Sequence, residues 1–479
     1  MGNRFVNYLK KRLPVSRRHR KPKLGGTIGV LPPELVEAIA KYLNARDNSS
    51  LRLCGTYITA CTSNHFEKTF LSVIHTDLSV DSLQKLDKAS QDPHFASRIQ
   101  TVEFSREEHM SFGAGWEWRR DGPSDAEHSF PQVSPLSPTG DGQDYLHKIL
   151  ARLANCKAFT ITGNPVRQPV GRGPLRYESV DEMRSRLSPG DVLALLFHLM
   201  CANTVNVREL DVDYDVAHAV AVQGHSLWPY IQERSKAYRF PDGRSGSPWS
   251  QIESLIVRNT GLIVRFPGQQ MRTILELSTG LRRMHISLDK KYDAGGFYML
   301  QPKCIRDCEF QLEELRLENG AIGSYSDFQD PTPFQVFEYL PQFLHKFRGT
   351  LRKVYFGNLT MRLEGPGWKP ILEYIRDNLT TLEEITLVDL AFSVPIDPWP
   401  QSKKVAALDF PELSINPTVN GVTGSKFTYS SYTSWHQDGD IVTGRVSYSG
   451  PNMNAALQKL LDCAQVGPSN GDPSWASFR

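Results

Sequence analysis

A chain of 479 residues with 40% apolar content is long enough for two or three domains or a repeat array, and too apolar to be disordered throughout. Its net charge of +3 is unevenly placed, because residues 1–23 carry nine Lys or Arg and no acid. Taking those nine from the 55 basic residues leaves 46 against 52 acidic ones, so the remainder is mildly acidic, which argues against nucleic-acid binding by the body of the chain.

Residues 1–29 read as a disordered basic arm. Lys10–Lys23 reads first as a solvated arm, with a nuclear import signal or a patch for an acidic partner as the alternatives, and Gly25, Gly26 and Gly29 form a flexible joint after it. No apolar h-region follows the basic start, and Val6 stands where a myristoylation signal needs Ser or Thr. Nowhere do about 18 apolar residues run together, so no membrane span is expected. The expectation is an intracellular protein, cytoplasmic and/or nuclear.

Residues 30–75 read as a helical domain of three short helices. In the first, Leu31, Leu35, Ile39 and Leu43 recur every four residues on one face. Pro32 and Pro33 suit its first turn, Glu34 and Glu37 lie near its positive end, and it is expected to run to about Leu43. Asn44–Asn48 is turn chemistry, with Asp47 or Asn48 capping a second helix through Leu51 and Leu53. A third helix, with Tyr57, Ile58 and Cys61 inward, is expected to end near Ser63 and Asn64. Such a stripe is either a docking surface or one side of an ordinary helical subdomain packed on its own chain.

The run Leu31-Pro32-Pro33-Glu34-Leu35, with Ile39, Tyr42-Leu43, Asp47 and Leu51-Arg52-Leu53, resembles the F-box, especially as it occurs in filamentous fungal proteins. That resemblance covers about forty residues. It implies docking on the linker protein of an SCF-type ubiquitin ligase and, through it, a cullin. It further implies that Leu31, Pro32, Leu35, Ile39, Leu43, Leu51 and Leu53 are the linker-binding and core positions.

Residues 76–398 carry a repeat. The pattern apolar-x-x-apolar-x-apolar recurs as Ile99-Val102-Phe104, Cys156-Phe159-Ile161, Val207-Leu210-Val212 and Ile252-Leu255-Val257. It returns as Leu281-Met284-Ile286, Leu312-Leu315-Leu317, Leu351-Val354-Phe356 and Leu382-Ile385-Leu387. The last two apolar positions of each unit have strand spacing, and amphipathic helical stretches lie between units, at 145–153, 191–201, 270–277, 334–347 and 370–379. The alternation resembles the degenerate leucine-rich-repeat region that follows many F-boxes. The expected fold class is therefore α/β, with an N-terminal three-helix F-box-like cap followed by an irregular leucine-rich-repeat-like solenoid with a mostly parallel sheet. The alternative is an irregular α/β domain with a mostly parallel sheet. Segments 109–143, 163–188 and 223–250 read as long loops rich in Gly, Pro and Ser; Trp116 and Trp118 in the first are expected to pack back on the body or to meet a client.

Residues 399–479 stop repeating and read as a C-terminal capping region. Lys426–Gly450 alternates like a hairpin about Asp438-Gly439, and Asn452–Cys463 reads as a helix with Leu457, Leu460 and Leu461 inward.

Motifs for chemistry are sparse. Gly224-His225-Ser226 follows an apolar run as in a nucleophile elbow, but Trp228 and Pro229 obstruct the turn and the helix such an elbow needs. There is no phosphate loop, no His-Glu-x-x-His and no Cys-x-x-Cys. Seven cysteines, an odd number, fit reduced thiols, and the nearest pair, Cys304 and Cys308, lacks the further ligands of a zinc site. Neither a metal nor a cofactor is expected. The chain reads as a non-enzymatic substrate receptor, alternatively as a repeat scaffold with no ligase role, and least readily as an enzyme. Outward strand positions nominate the client surface: Asp211, Asp213, Arg258, His285, Arg316, Glu318 and Tyr355, flanked by Glu103, Thr160 and Thr386. Their mixed signs favour neither an anionic polymer nor a strongly basic peptide.

Overall fold

A computed structural model describes residues 27–105, 113, 141–162, 187, 192–193, 195–196, 199–200, 206–213, 248–258, 274–287, 300, 305–322, 336–362, 367–395, 403–419, 427–436 and 439–467. Residues 1–26 of the basic arm, Cys304, the Gly224-His225-Ser226 segment, Trp116, Trp118 and most of the three long loops lie outside these residues, whereas Thr27–Val30, at the end of the arm expected to be disordered, forms a short 3-10 helix. The chain divides into two compact units, Met1–Ser72 and Val73–Arg479. The boundary falls before residue 75 because Val73–Thr76 is a strand of the second unit.

The first unit contains α1 (Pro33–Ala40), α2 (Ala45–Arg52) and α3 (Thr56–Phe70). Helix α1 stops three residues earlier than the stripe suggests, and the chain turns through Lys41–Leu43. The cap of α2 is Asn44, not Asp47 or Asn48: its side-chain oxygen accepts the Asp47 N–H at 3.0 Å. Helix α3 continues past Ser63 and Asn64 to Phe70. The hydroxyls of Thr62 and Ser63 donate to the carbonyls of Ile58 (2.8 Å) and Thr59 (2.6 Å), four residues back. Buried Val36 and Ala40 of α1, Asn48 of α2, and Ile58 and Thr62 of α3 form the small interior. Polar stitches hold the helices together: Asn48 Nδ2 donates to the Ala40 carbonyl (3.2 Å), Tyr57 Oη to the Leu31 carbonyl (2.7 Å) and Thr59 Oγ1 to the Arg52 carbonyl (2.5 Å). The Arg52 guanidinium lies 4.2 Å from the Phe66 ring centre.

The second unit is α/β, built on a fourteen-stranded, mostly parallel sheet. Its parallel run is β1 (Val73–Thr76), β2 (Thr101–Ser105), β3 (Ala158–Thr162), β4 (Glu209–Asp213), β5 (Ser254–Arg258), β6 (Arg283–Ser287), β7 (Glu314–Ile322), β8 (Lys353–Arg362) and β9 (Glu384–Val388), paired in chain order. The eight sequence units are β2 to β9, and all three apolar positions of every unit are buried. One device fixes the register from β3 to β9. Two consecutive N–H groups at each strand's start share a single carbonyl of the preceding strand, from Lys157 and Ala158 on Gln100 to Glu383 and Glu384 on Arg352. Between strands, α4 (Val80–Gln91), α5 (Asp141–Leu150), α6 (Val336–Lys346) and α7 (Trp368–Asn378) bury apolar faces such as Leu146-Ile149-Leu150 and Trp368-Ile371-Leu372-Ile375.

At β8 the sheet branches. Lys353–Gly357 pair with β9, whereas Thr360–Arg362 pair with β10 (Ala391–Pro395). The turn between β9 and β10 passes through Asp389 in the left-handed region (φ 51°), and Asn319 and Asn358 share that conformation on β7 and β8 (φ 58° and 51°). Asn and Asp tolerate it better than other L-residues. Their side chains stack across the strands: Asn358 Nδ2 donates to Asn319 Oδ1 (3.1 Å), and Asn319 Nδ2 to Ser287 Oγ (3.0 Å). One branch continues antiparallel through β11 (Lys403–Asp409) to β14 (Gln465–Gly467). The other adds β13 (Gly439–Ser449) to β9 and then β12 (Thr428–His436), the expected hairpin. Helix α8 (Met453–Cys463) buries Leu457 and Leu460 as expected, and its Gln458 accepts from Arg376 of α7 at 2.6 Å.

Candidate binding surfaces

The helical unit leaves an apolar surface uncovered. Its interior takes Val36 and Ala40 from α1, which turns Leu35 and Ile39, each one residue round the helix, outward; they are 52% and 37% exposed. Leu53, just past α2, is 67% exposed, and Pro32 is exposed. Leu31, Leu43 and Leu51 are partly buried. Tyr42, 90% exposed, and Tyr57 belong to the same outer set. The sequence placed Tyr57 inward. Instead its hydroxyl reaches the Leu31 carbonyl while the residue stays open to solvent, an arrangement between residues 26 apart that helical spacing does not encode.

One face of the second unit's sheet carries the other candidates, and register sets which of them are neighbours, with Asp211 buried among them. Asp211, Ile256, His285, Arg316 and Tyr355 occupy one row across β4–β8. Asp213, Arg258, Ser287, Glu318 and Gly357 occupy the next. Four nominated residues converge. Glu318 Oε2 lies 2.8 Å from His285 Nε2, Glu318 Oε1 accepts from Arg316 at 2.6 Å, and the Arg316 guanidinium sits 4.3 Å from the Tyr355 ring centre. Tyr355 folds over Gly357, where an added Cβ would meet its ring at 2.6 Å. Burial alone would raise the Glu318 pKa, but the hydrogen bonds and charges of His285 and Arg316 prevail and bring it down to about 2. Burial and the neighbouring Glu318 carboxylate push the Tyr355 phenol up. Asp211 and Arg258 form a separate diagonal pair at 2.7 Å. Asp213 lies on β4, and its side chain is outside the described set. Glu103 meets His75 of β1 at 3.1 Å, a contact invisible without β1.

An open cleft of about 490 Å³ lies at the strand-start edge, where its two charged lining residues, Arg352 and Glu383, pair with each other. Among the described residues no group of three or more His, Cys, Asp or Glu is placed to hold a metal. No helix among them is long and apolar enough to cross a membrane.

The fold thus defines an α/β protein with a large, mostly parallel sheet and a separate helical unit. The chain matches no protein-family model and no curated protein.

Proposed function

We propose that this chain is an adaptor with no covalent chemistry of its own: an F-box-like substrate receptor of an SCF-type ubiquitin ligase. Its helices dock the linker protein and thereby a cullin, and the open face of a leucine-rich-repeat-like array recruits a client. Its contribution to ubiquitin transfer is then effective concentration, the client being held near the charged conjugating enzyme. The observation that supports this most is the uncovered apolar set Leu35, Ile39 and Leu53, on or just past helices held together by other residues. A stable interface buries about 1,200–2,000 Å², more than three short helices offer, so flanking residues join it. Parallel pairing of all eight units is what a repeat architecture requires, and an irregular α/β domain with a mostly parallel sheet shares it.

The test is capture of purified linker protein by the full chain. Wild type retains it at micromolar concentration, and the Leu35→Asp Ile39→Asp variant loses it with an unchanged circular dichroism spectrum, because neither side chain belongs to the interior. Equal retention by both removes the docking claim. No retention by wild type favours the repeat scaffold without a ligase role.

A further inference from the structure

We propose that the edge of β12 away from β13 is a self-association surface, on which two copies of this chain pair their Thr428–His436 strands antiparallel about a two-fold axis. Among the described residues β12 pairs with β13 alone. Its nine residues far exceed those of the other terminal strands, four in β1 and three in β14. The segment before it is closed by the Phe427 N–H, which donates to the Pro417 carbonyl at 2.8 Å; beyond that point Thr428, Ser430 and Ser431 are exposed. A free strand edge presents N–H and C=O groups in a spacing that another extended backbone satisfies. Long natural edges are blunted by Lys, Pro or other charges, and Thr428–Trp435 contains none of them.

The residue order points to a second copy as the occupant. Thr-Tyr-Ser-Ser-Tyr-Thr-Ser-Trp-His is nearly the same pattern in both directions about Tyr432: hydroxyls at 431 and 433 and at 430 and 434, aromatics at 429 and 435. Antiparallel pairing centred on Tyr432 sets 431 against 433, 430 against 434 and 429 against 435. A two-fold interface has to be self-complementary, and hydroxyl–hydroxyl and aromatic–aromatic cross-strand pairs are favourable ones. Tyr429 is already held in place, its hydroxyl donating to Asp409 Oδ1 at 2.8 Å. A client strand bound at this edge would place no such symmetry on the sequence. One strand pair buries less than the roughly 1,200–2,000 Å² of a stable complex, so the dimer is weak and dependent on concentration.

Sedimentation of the full chain tests this. The weight-average mass is expected to climb from the monomer toward twice its value as concentration rises from about 1 to about 300 µM. Ser431→Lys with Thr433→Lys sets like charges opposite each other twice in the dimer and weakens association by about tenfold or more. Ser431→Lys with Thr433→Glu sets opposite charges there and keeps association near the wild-type level. A wild-type protein that stays monomeric throughout overturns the proposal, whatever the variants do. So does a mass that grows without limit, which marks open-ended aggregation. Equal weakening by both double variants, with unchanged melting curves, overturns the register.

Discussion

Glu318→Gln tests whether the open-face cluster is an electrostatic unit. The Glu318 carboxyl falls from its ordinary value of 4.5 to about 2 because His285 and Arg316 outweigh its burial. Unscreened, that fall corresponds to about 3 kcal/mol of stability. Glu318 itself is only 15% exposed, but its partner Arg316 keeps 42% of its side chain in solvent, so screening reduces the expected loss in the variant to about 1–2 kcal/mol at neutral pH. The sign follows from a depressed pKa. The contribution is complete above about 4.5, where both folded and unfolded chains are ionised, and fades as pH falls toward about 2, because the unfolded chain protonates first. Urea unfolding followed by tryptophan fluorescence, compared for wild type and variant from pH 7 down to about 2.5, should show a gap in midpoint that is widest at neutral pH and closes in acid. A gap of constant size across that range, or none at pH 7, refutes the reasoning.

His75, hydrogen-bonded to Glu103, should titrate above its ordinary value in nuclear magnetic resonance, since that bond outweighs the opposing effect of its burial. Stability from this pair is present below about pH 6.5 and lost as pH rises through the raised pKa, and Glu103→Gln should return the histidine to its ordinary range; no change in the variant would sink the assignment. Gly280→Ala should lower stability by about 1–3 kcal/mol, because the added Cβ would lie 2.1 Å from the Ser250 carbonyl oxygen, a backbone atom with little freedom to retreat. An unchanged urea midpoint would show that the turn before β6 relaxes.

The repeat was legible because each unit states its burial locally: a turn residue and two alternating strand residues, such as Leu312, Leu315 and Leu317, all go inside. Strand β1 was missed because its second inward position is Thr76. That residue is buried by accepting the Leu78 N–H at 3.0 Å and the Ser82 hydroxyl at 2.8 Å, so a polar letter stands where the pattern needs an apolar one. The branch at β8 was illegible for a different reason. It depends on Asn319, Asn358 and Asp389 sharing a left-handed backbone across three strands, which is a non-local agreement. On the sheet face, alternation identified which residues share that face, but not that Asp211 and Thr386 are buried there, nor the diagonal pairing of Asp211 with Arg258 or the folding of Tyr355 over Gly357. In the helical unit Leu35 and Ile39 of the stripe are exposed, whereas the true end of α3 was hidden because Thr62 and Ser63, whose hydroxyls bond to carbonyls four residues back, sit inside the helix.

The two surfaces differ in how they can gain binding energy, which bears on the adaptor reading. Leu35, Ile39 and Leu53 have only burial to offer, so a partner there gains roughly in proportion to apolar area removed from water, with little dependence on salt. The open face is the reverse. Glu318 is engaged by His285 and Arg316, and Arg258 by Asp211, so these charges largely neutralise one another and present no single-sign field to steer a ligand. Under the adaptor reading a client on this face would therefore gain little from long-range attraction. Its recognition depends on fitting around pairs that are already made, because any ligand that pulls Glu318 from Arg316 must replace a hydrogen bond that is partly withdrawn from water. Under the adaptor reading the helical surface supplies affinity for a generic subunit, while the face supplies discrimination among clients through the cost of disturbing its own pairs.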